Sequence, residues 1–225
     1  GSLDTSFSSD GVLTTVFPGL SDSRGVGMAL QSDGALVVVG SGFNAGLGFN
    51  DLTVARYLPN GALDTSFGGY DGVSDGLLNL SIGRRSDAAY AVAVQADGKI
   101  LVGGVAYDRN DNGDFSLLRL LSDGTPDITF GAACVTLTGF GQDDVIRKIV
   151  VQADGKILVA DTRNGSIKRM NTDGTGIVTV YDGGIFSFPS SLAIDANGKI
   201  LSLEPSNAIR MDADGTNLVT LGSGF

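Results

Sequence analysis

Val94-Gln95-Ala96-Asp97-Gly98-Lys99-Ile100-Leu101-Val102 returns almost letter for letter as Val151-Gln152-Ala153-Asp154-Gly155-Lys156-Ile157-Leu158-Val159. Looser copies stand at Leu30 to Val38 and at Ile194 to Leu201. One unit written four times in 225 residues makes the fold an array, since a repeated phrase reports what each unit needs in order to pack. The marker glycines Gly34, Gly98, Gly155 and Gly198 are 64, 57 and 43 residues apart. The first two intervals exceed a typical solenoid repeat, and the last two fit a propeller blade or kelch-like unit.

Each unit reads as strands. In the second copy an alternating run (Tyr90, Val92, Val94) meets Asp-Gly, and a second apolar run (Ile100, Leu101, Val102) follows. Alternation with period two around Asp-Gly or Asn-Gly predicts a hairpin whose two central turn residues have positive φ. A third strand follows at Thr53 to Tyr57, Ser116 to Leu120, Ser166 to Met170 and Asn207 to Met211. Each carries an Arg five residues before a turn glycine (Gly61, Gly124, Gly174, Gly215). A fourth strand closes the unit at Leu77 to Leu80, Val135 to Thr138, Ile177 to Tyr181 and Leu218 to Leu221. A β-helix repeats in shorter coils, and a sandwich does not repeat one hairpin phrase four times. The pattern therefore predicts an all-β β-propeller of about four four-stranded blades, closed, partial or completed by another chain. The expected units are 21–82, 86–140, 143–182 and 186–225, preceded by a closing strand within 3–17. The four arginines are read as braces for a neighbouring turn or acidic residue; lining a channel is the alternative.

Leu63-Asp64-Thr65-Ser66-Phe67-Gly68-Gly69, its copy Leu3-Asp4-Thr5-Ser6-Phe7 and the degraded Pro126-Asp127-Ile128-Thr129-Phe130-Gly131 stand beside the Ala91 to Ile100 phrase. Together they resemble the delta-60 β-propeller repeat over roughly residues 3 to 160. The shorter units at Ser166 to Asp182 and Pro189 to Gly215 resemble NHL and YWTD propeller repeats. The resemblance implies a propeller in a large secreted or surface-attached bacterial protein, and it implies no catalytic residue.

A net charge of −10 argues against nucleic acid and anionic membrane as partners, because both repel such a surface. The 34 glycines punctuate apolar strands, so they read as turns and not as disorder. Cys134 is alone, which excludes an internal disulfide; its place between Ala133 and Val135 predicts a buried small hydrophobe in a strand. No run of 18 apolar residues and no signal peptide is present, and Gly1-Ser2 reads as a pair left by protease cleavage, so the chain is expected to be an excised piece of a longer protein.

The chain contains no His, which removes every Ser-His-Asp and Cys-His constellation. Asp33, Asp97, Asp123, Asp154, Asp173 and Asp214 all precede glycine, where Asp serves local turn hydrogen bonds. One segment breaks the repeat: Asp108-Arg109-Asn110-Asp111-Asn112-Gly113-Asp114-Phe115-Ser116. Oxygen-bearing residues at alternate positions around a glycine suit Ca²⁺, which takes six to eight hard oxygen ligands. The expected structural calcium site is Asp108, Asn110, Asn112, Asp114 and Ser116; an ordinary polar hairpin loop is the alternative. The matching loop Ser41 to Asp51 carries Phe43 and Phe49, placed either for a partner or folded onto the blade. Tyr57, Tyr70, Tyr90, Tyr107 and Tyr181 are scattered and mark no sugar platform.

The expected function is a non-enzymatic propeller module, outside the cell or on its surface, in adhesion or an extracellular assembly. The alternative is a propeller enzyme that cleaves a glycan or small molecule with carboxylates. Expected partners are other extracellular proteins, glycans or the chain itself, through strand exchange or head-to-tail assembly. Val12 to Val16 match the closing strand of a unit although each unit already owns one, so a fourth-type strand is surplus.

Overall fold

A computed structural model describes residues 1–8, 10–69, 73–139, 143–184 and 187–223. The expected unit bounds at 140, 186 and 225, and Tyr70, lie outside the described residues. Sixteen strands among the described residues form four separate antiparallel meanders. The first blade is β1 (Leu20–Leu30), β2 (Leu36–Asn44), β3 (Phe49–Tyr57) and β4 (Leu77–Leu80). The second is β5 (Asp87–Val94), β6 (Ile100–Tyr107), β7 (Gly113–Leu120) and β8 (Val135–Thr138). The third is β9 (Ile146–Val151), β10 (Ile157–Asp161), β11 (Ser166–Met170) and β12 (Val178–Asp182). The fourth is β13 (Ser191–Ile194), β14 (Ile200–Leu203), β15 (Asn207–Met211) and β16 (Val219–Ser223). First strands pack in series, β1 on β5, β5 on β9 and β9 on β13, so the blades form an open arc of a β-propeller.

The second strands of the two middle blades, β6 and β10, carry apolar residues on both faces because each lies between two other blades. Val102 and Ile100 join Val37, Val39, Leu52 and Val54 between the first and second blades, while Leu101 faces Ile149, Ile157 and Val159 of the third. Leu158, Ala160 and Ile167 then meet Leu192, Ile200 and Ile209 of the fourth. Burying each such Val, Leu or Ile side chain contributes about 1.5–3 kcal/mol. Val92 and Val94, which the alternation also predicts to be buried, are only half-buried, and Val94 ends the innermost strand beside an open groove.

The hairpin turns differ from the sequence expectation. Gly34, Gly98, Gly155 and Gly198 have φ of 84°, 84°, 82° and 77°, while the preceding Asp or Asn is not left-handed. Gly34 N–H donates to the Gln31 carbonyl (3.0 Å), and Gln31 N–H donates to the Ala35 carbonyl (2.8 Å). This is a three-residue loop with one left-handed glycine, which explains Asp-Gly without the two-residue primed turn. Asp33 Oδ1 accepts the Ala35 N–H at 2.9 Å.

A second device locks each of the first two blades to the one after it. Asp64 Oδ1 accepts both the N–H (3.0 Å) and the hydroxyl (2.6 Å) of Ser66, which curls the chain and turns Phe67 inward. The fully buried Phe67 ring lies against Gly124, and Gly68 N–H donates to the Asp123 carbonyl at 2.9 Å. Gly124 has φ +89°, and a Cβ there would lie 2.8 Å from the ring, so only glycine fits. Asp127, Thr129 and Phe130 repeat the arrangement against Gly174, with Gly131 N–H on the Asp173 carbonyl at 2.9 Å.

The amino-terminal copy performs the same docking on the first blade. Asp4 Oδ1 accepts from Ser6 N–H (2.9 Å) and hydroxyl (2.6 Å), Phe7 lies against Gly61, and Ser8 N–H donates to the Asn60 carbonyl (2.9 Å). Val12 to Val16, expected as a closing strand, join none of the four sheets. They run extended over the first blade, where the Tyr57 hydroxyl donates to Thr15 Oγ1 (2.7 Å) and Phe17 is buried beside Ala55 and Tyr57. The strand has no third strand to pair with, because β3, β7, β11 and β15 already hold β4, β8, β12 and β16. Cys134 is not in a strand either. It sits half-buried at φ +84° just before β8, in the slot that Gly76 (φ +86°) fills in the first blade. Arg56 N–H donates to the Gly76 carbonyl at 3.0 Å, and Arg119 N–H to that of Cys134 at 2.9 Å.

The repeated arginines are braces. Arg56 pairs with Asp33 (2.5 Å) and Asp64, Arg119 with Asp127 (2.9 Å) and Arg210 with Asp195 (3.0 Å). Arg119 and Arg169 also each reach the following blade, donating at 2.5 Å to the carbonyls of Thr172 and Ala213.

Candidate functional site

In a meander the connections between second and third strands emerge at the end opposite the Asp-Gly turns. The connections between blades emerge there too. That end therefore carries the segment beginning at Asp108 that breaks the repeat. Asp108 and Asn112 come from the loop before β7, Asp114 from β7 itself and Asp143 from the connection between the second and third blades. Arg163 comes from the loop before β11, and Phe188 from the connection to the fourth blade. These side chains, with Gly139, line a cleft of about 740 Å³ between the second and third blades and the connections that follow them. Asp143 pairs with Arg163 and accepts the Gly113 N–H on Oδ1 at 3.1 Å. Phe188 is 43% exposed, so an apolar ring faces the cleft among carboxylates. A Cβ on Gly139 would lie 2.5 Å from Asp114 Oδ1, and the glycine is what lets that carboxylate lie across the connection. Asp108, Asp114 and Asp143 outnumber Arg163, which makes the cleft a poor host for anions and a good one for hydroxyl donors or cations.

The expected calcium residues divide. Asp108, Asn112 and Asp114 line the cleft; Asn110 does not, and Ser116 is buried within β7 with its hydroxyl unpaired. The loop is shorter than expected because β7 begins at Gly113. Asp108 Oδ1 accepts the N–H groups of Asn112 (3.0 Å) and Asn110 (2.7 Å), which hold its carboxyl below the ordinary range. Asn112 Nδ2 also donates to Asp108 Oδ2 (3.3 Å). A Ca²⁺ on Asp108 Oδ2 would have to turn that amide over. Among the described residues no cluster of three or more acidic or cysteine side chains stands in metal-binding geometry. Of the two loop phenylalanines, Phe49 is covered by Arg85, whose guanidinium lies 5.7 Å from the ring centre, while Phe43 stays exposed on β2.

Beneath this surface lie carboxylates that the turn motifs do not account for: Asp51, Asp87, Asp144 and Asp161, all nearly or fully buried. They were legible as exceptions, since none of them precedes glycine. Asp161 accepts the Asn164 amide at 3.0 Å, and burial raises its carboxyl above the ordinary range. Asp87 accepts the N–H groups of Ile82 (2.7 Å) and Gly83 (2.9 Å) and so ties the inter-blade connection to β5. Burial pushes its carboxyl up to about 6, despite those donors, and the nearby Asp51 charge adds to the rise. Asp51 Oδ1 is itself buried with no hydrogen-bond partner among the described residues.

A folded value of about 6 against 3.8 in the unfolded chain means that Asp87's contribution to stability is whole below pH 4. It is lost as the pH rises to about 6, at a cost on the order of 2–3 kcal/mol. Asp87→Asn removes that loss. Urea unfolding should show the variant gaining on the parent protein at pH 7 and not at pH 4; a constant difference across the range would remove Asp87 from the account.

Comparisons with known proteins agree with the fold. Residues 31–67 and 95–130 match a family model described as a domain of unknown function (DUF5122) beta-propeller. No curated protein matches. The extracellular domain of a candidate one component system from B. thetaiotaomicron is 18% identical at a TM-score of 0.56, over 93% of this chain and 23% of that one. A protein of unknown function from Bacteroides caccae is 13% identical at a TM-score of 0.56, over 88% of this chain and 60% of that one. A streptogramin B lyase is 12% identical, also at 0.56, over 93% of this chain and 72% of that one. The chain thus spans about a quarter of the first of these proteins and under two thirds of the second.

Proposed function

We propose that the chain is a non-catalytic β-propeller module of an extracellular bacterial protein, and that it holds a neutral glycan in the cleft between Asp108 and Phe188. The observation that carries this reading is the cleft itself, where carboxylates, an amide and one exposed aromatic ring converge from two blades and the connections after them. Sugar hydroxyls donate to carboxylates, and the C–H face of a pyranose packs on an aromatic ring. The surplus of acidic over basic side chains disfavours acidic sugars. The extracellular domain among the similar structures supports a location outside the cell. The buried, upward-shifted Asp87 supports a non-catalytic role, since its carboxyl serves the blade junction and has no exposed surface. Calcium remains part of the proposal in a narrower form, bound by Asp108, Asn112 and Asp114 beside the glycan.

Calorimetric titration with a panel of neutral saccharides, in calcium and in chelator, tests both parts. The expected result is binding that weakens at least tenfold in Phe188→Ala and in Asp143→Asn, and that weakens in chelator. Binding indifferent to both substitutions would place the site elsewhere, and binding indifferent to chelator would remove the cation.

A further inference from the structure

The two ends of the arc are halves of one interface. Inside the chain, the face of each blade that looks forward packs on the backward face of the next. On the backward face of the first blade Phe17 covers Ala55 and Tyr57, Leu36 and Val38 are half-buried, and Met28 and Leu30 stay 73% and 69% exposed. The forward face of the fourth blade carries Leu201, Leu203 and Val219, opposite to the Ile200 and Ile209 that it turns to the third. Three further features are unpaired at these ends. The Leu3–Ser8 segment docks on the first blade as Leu63–Gly68 docks on the second, yet no blade of this arc precedes it. Leu13 to Val16 lie extended with no backbone hydrogen bond among the described residues. Arg210, the repeat equivalent of Arg119 and Arg169, reaches no following blade among the described residues, and its Nε is buried there without a partner.

We infer that a second copy of this chain completes both ends, with the fourth blade of each copy seated on the first blade of the other. Continuity with the blade interfaces already present within the chain is the argument for this occupant. Propellers close with about four to eight blades. An arc of four blades fits a ring of one copy or half of a ring of two. Among the described residues β1 and β13 are not packed together, so the single copy stays open. Two copies close an eight-bladed ring through two identical head-to-tail junctions. At each junction Arg210 takes the turn carbonyl of Pro59, the counterpart of Thr172 and Ala213, and Leu13 to Val16 add as a strand at the outer edge of the docked blade.

Light scattering after gel filtration over a concentration series tests the inference. The intact chain should reach twice the monomer mass. Met28→Asp at one end and Leu203→Asp at the other should each give folded monomers, because both positions are exposed in the single copy. Mixed together, the two variants should recover the doubled mass, since each brings one intact end. A chain that stays monomeric at every concentration, a pair that survives both substitutions, or a mixture that fails to recover would each overturn the head-to-tail ring. Far-ultraviolet circular dichroism confirms that the variants fold.

Discussion

Phe67→Ala should cost about 3–5 kcal/mol in urea unfolding, the range for removing a fully buried phenylalanine from a site that cannot collapse. The ring has no exposed surface and fills the gap between the first blade and the turn of the second blade at Gly124, where the backbone is fixed by the Gly68 N–H on the Asp123 carbonyl. Phe130→Ala should behave alike, because its ring is equally buried against Gly174. Phe7→Ala should cost much less. Its ring is partly exposed, and the segment that carries it belongs to no sheet. Equal losses for Phe7 and Phe67 would mean that the docking segment matters for its own conformation and not for joining blades.

Arg119→Met should be the other severe change, at about 3 kcal/mol, because it takes the buried partner from the buried Asp127 carboxylate and leaves it only Lys99 and Thr129. Arg119 Nε donates to Asp127 Oδ2 at 2.9 Å, one terminal nitrogen reaches Thr129 Oγ1 at 3.3 Å, and the guanidinium lies 4.6 Å from the Phe130 ring centre. Burial alone would raise the Asp127 carboxyl, but hydrogen bonds from Thr129 and Lys99 and the Arg119 charge outweigh it and hold the group well below the ordinary range. Its stabilising share is therefore present above pH 4 and is lost as the pH falls toward the folded value. Removing Arg119 should flatten that acid limb as well as lower stability at pH 7. Arg163→Met, on an exposed pair with Asp143, should stay within about 1 kcal/mol of the parent protein. If the two arginine variants lost the same amount, the buried brace would be no more than a surface pair.

Much of this architecture is legible in the chain because blades repeat and the repeat is local. The Asp-Gly phrase marks each first hairpin, and the position of Arg119 relative to Gly124 marks each third strand, since both rest on backbone needs within one unit. What escaped local reading depends on neighbours. Val12 to Val16 have the residues of a strand, but the third-strand edge that their pattern calls for is taken in every blade by that blade's own fourth strand. Cys134 looks like a strand residue between Ala133 and Val135, yet tertiary contacts hold it in a conformation that the first blade gives to glycine. The cleft is the extreme case. Asp108, Asp143, Arg163 and Phe188 come from four different connections, and only the radial stacking of blades brings them together. Ser116, chosen for its spacing from Asp108, is carried into the blade because β7 starts three residues earlier than the loop pattern implies.

Native-state hydrogen exchange at two amides tests the central claim, that the first three blades are joined in series by the Phe67 and Phe130 docking segments. Gly68 and Gly131 donate across a blade boundary to the carbonyls of Asp123 and Asp173. Both sit in connections that would exchange freely if the blades were independent. The account predicts that their exchange is as slow as that of amides in the central strands β6 and β10, and that Phe67→Ala accelerates Gly68 while leaving Gly131 slow. Exchange of both amides at the rate of exposed loops, with β6 and β10 still protected, would contradict it.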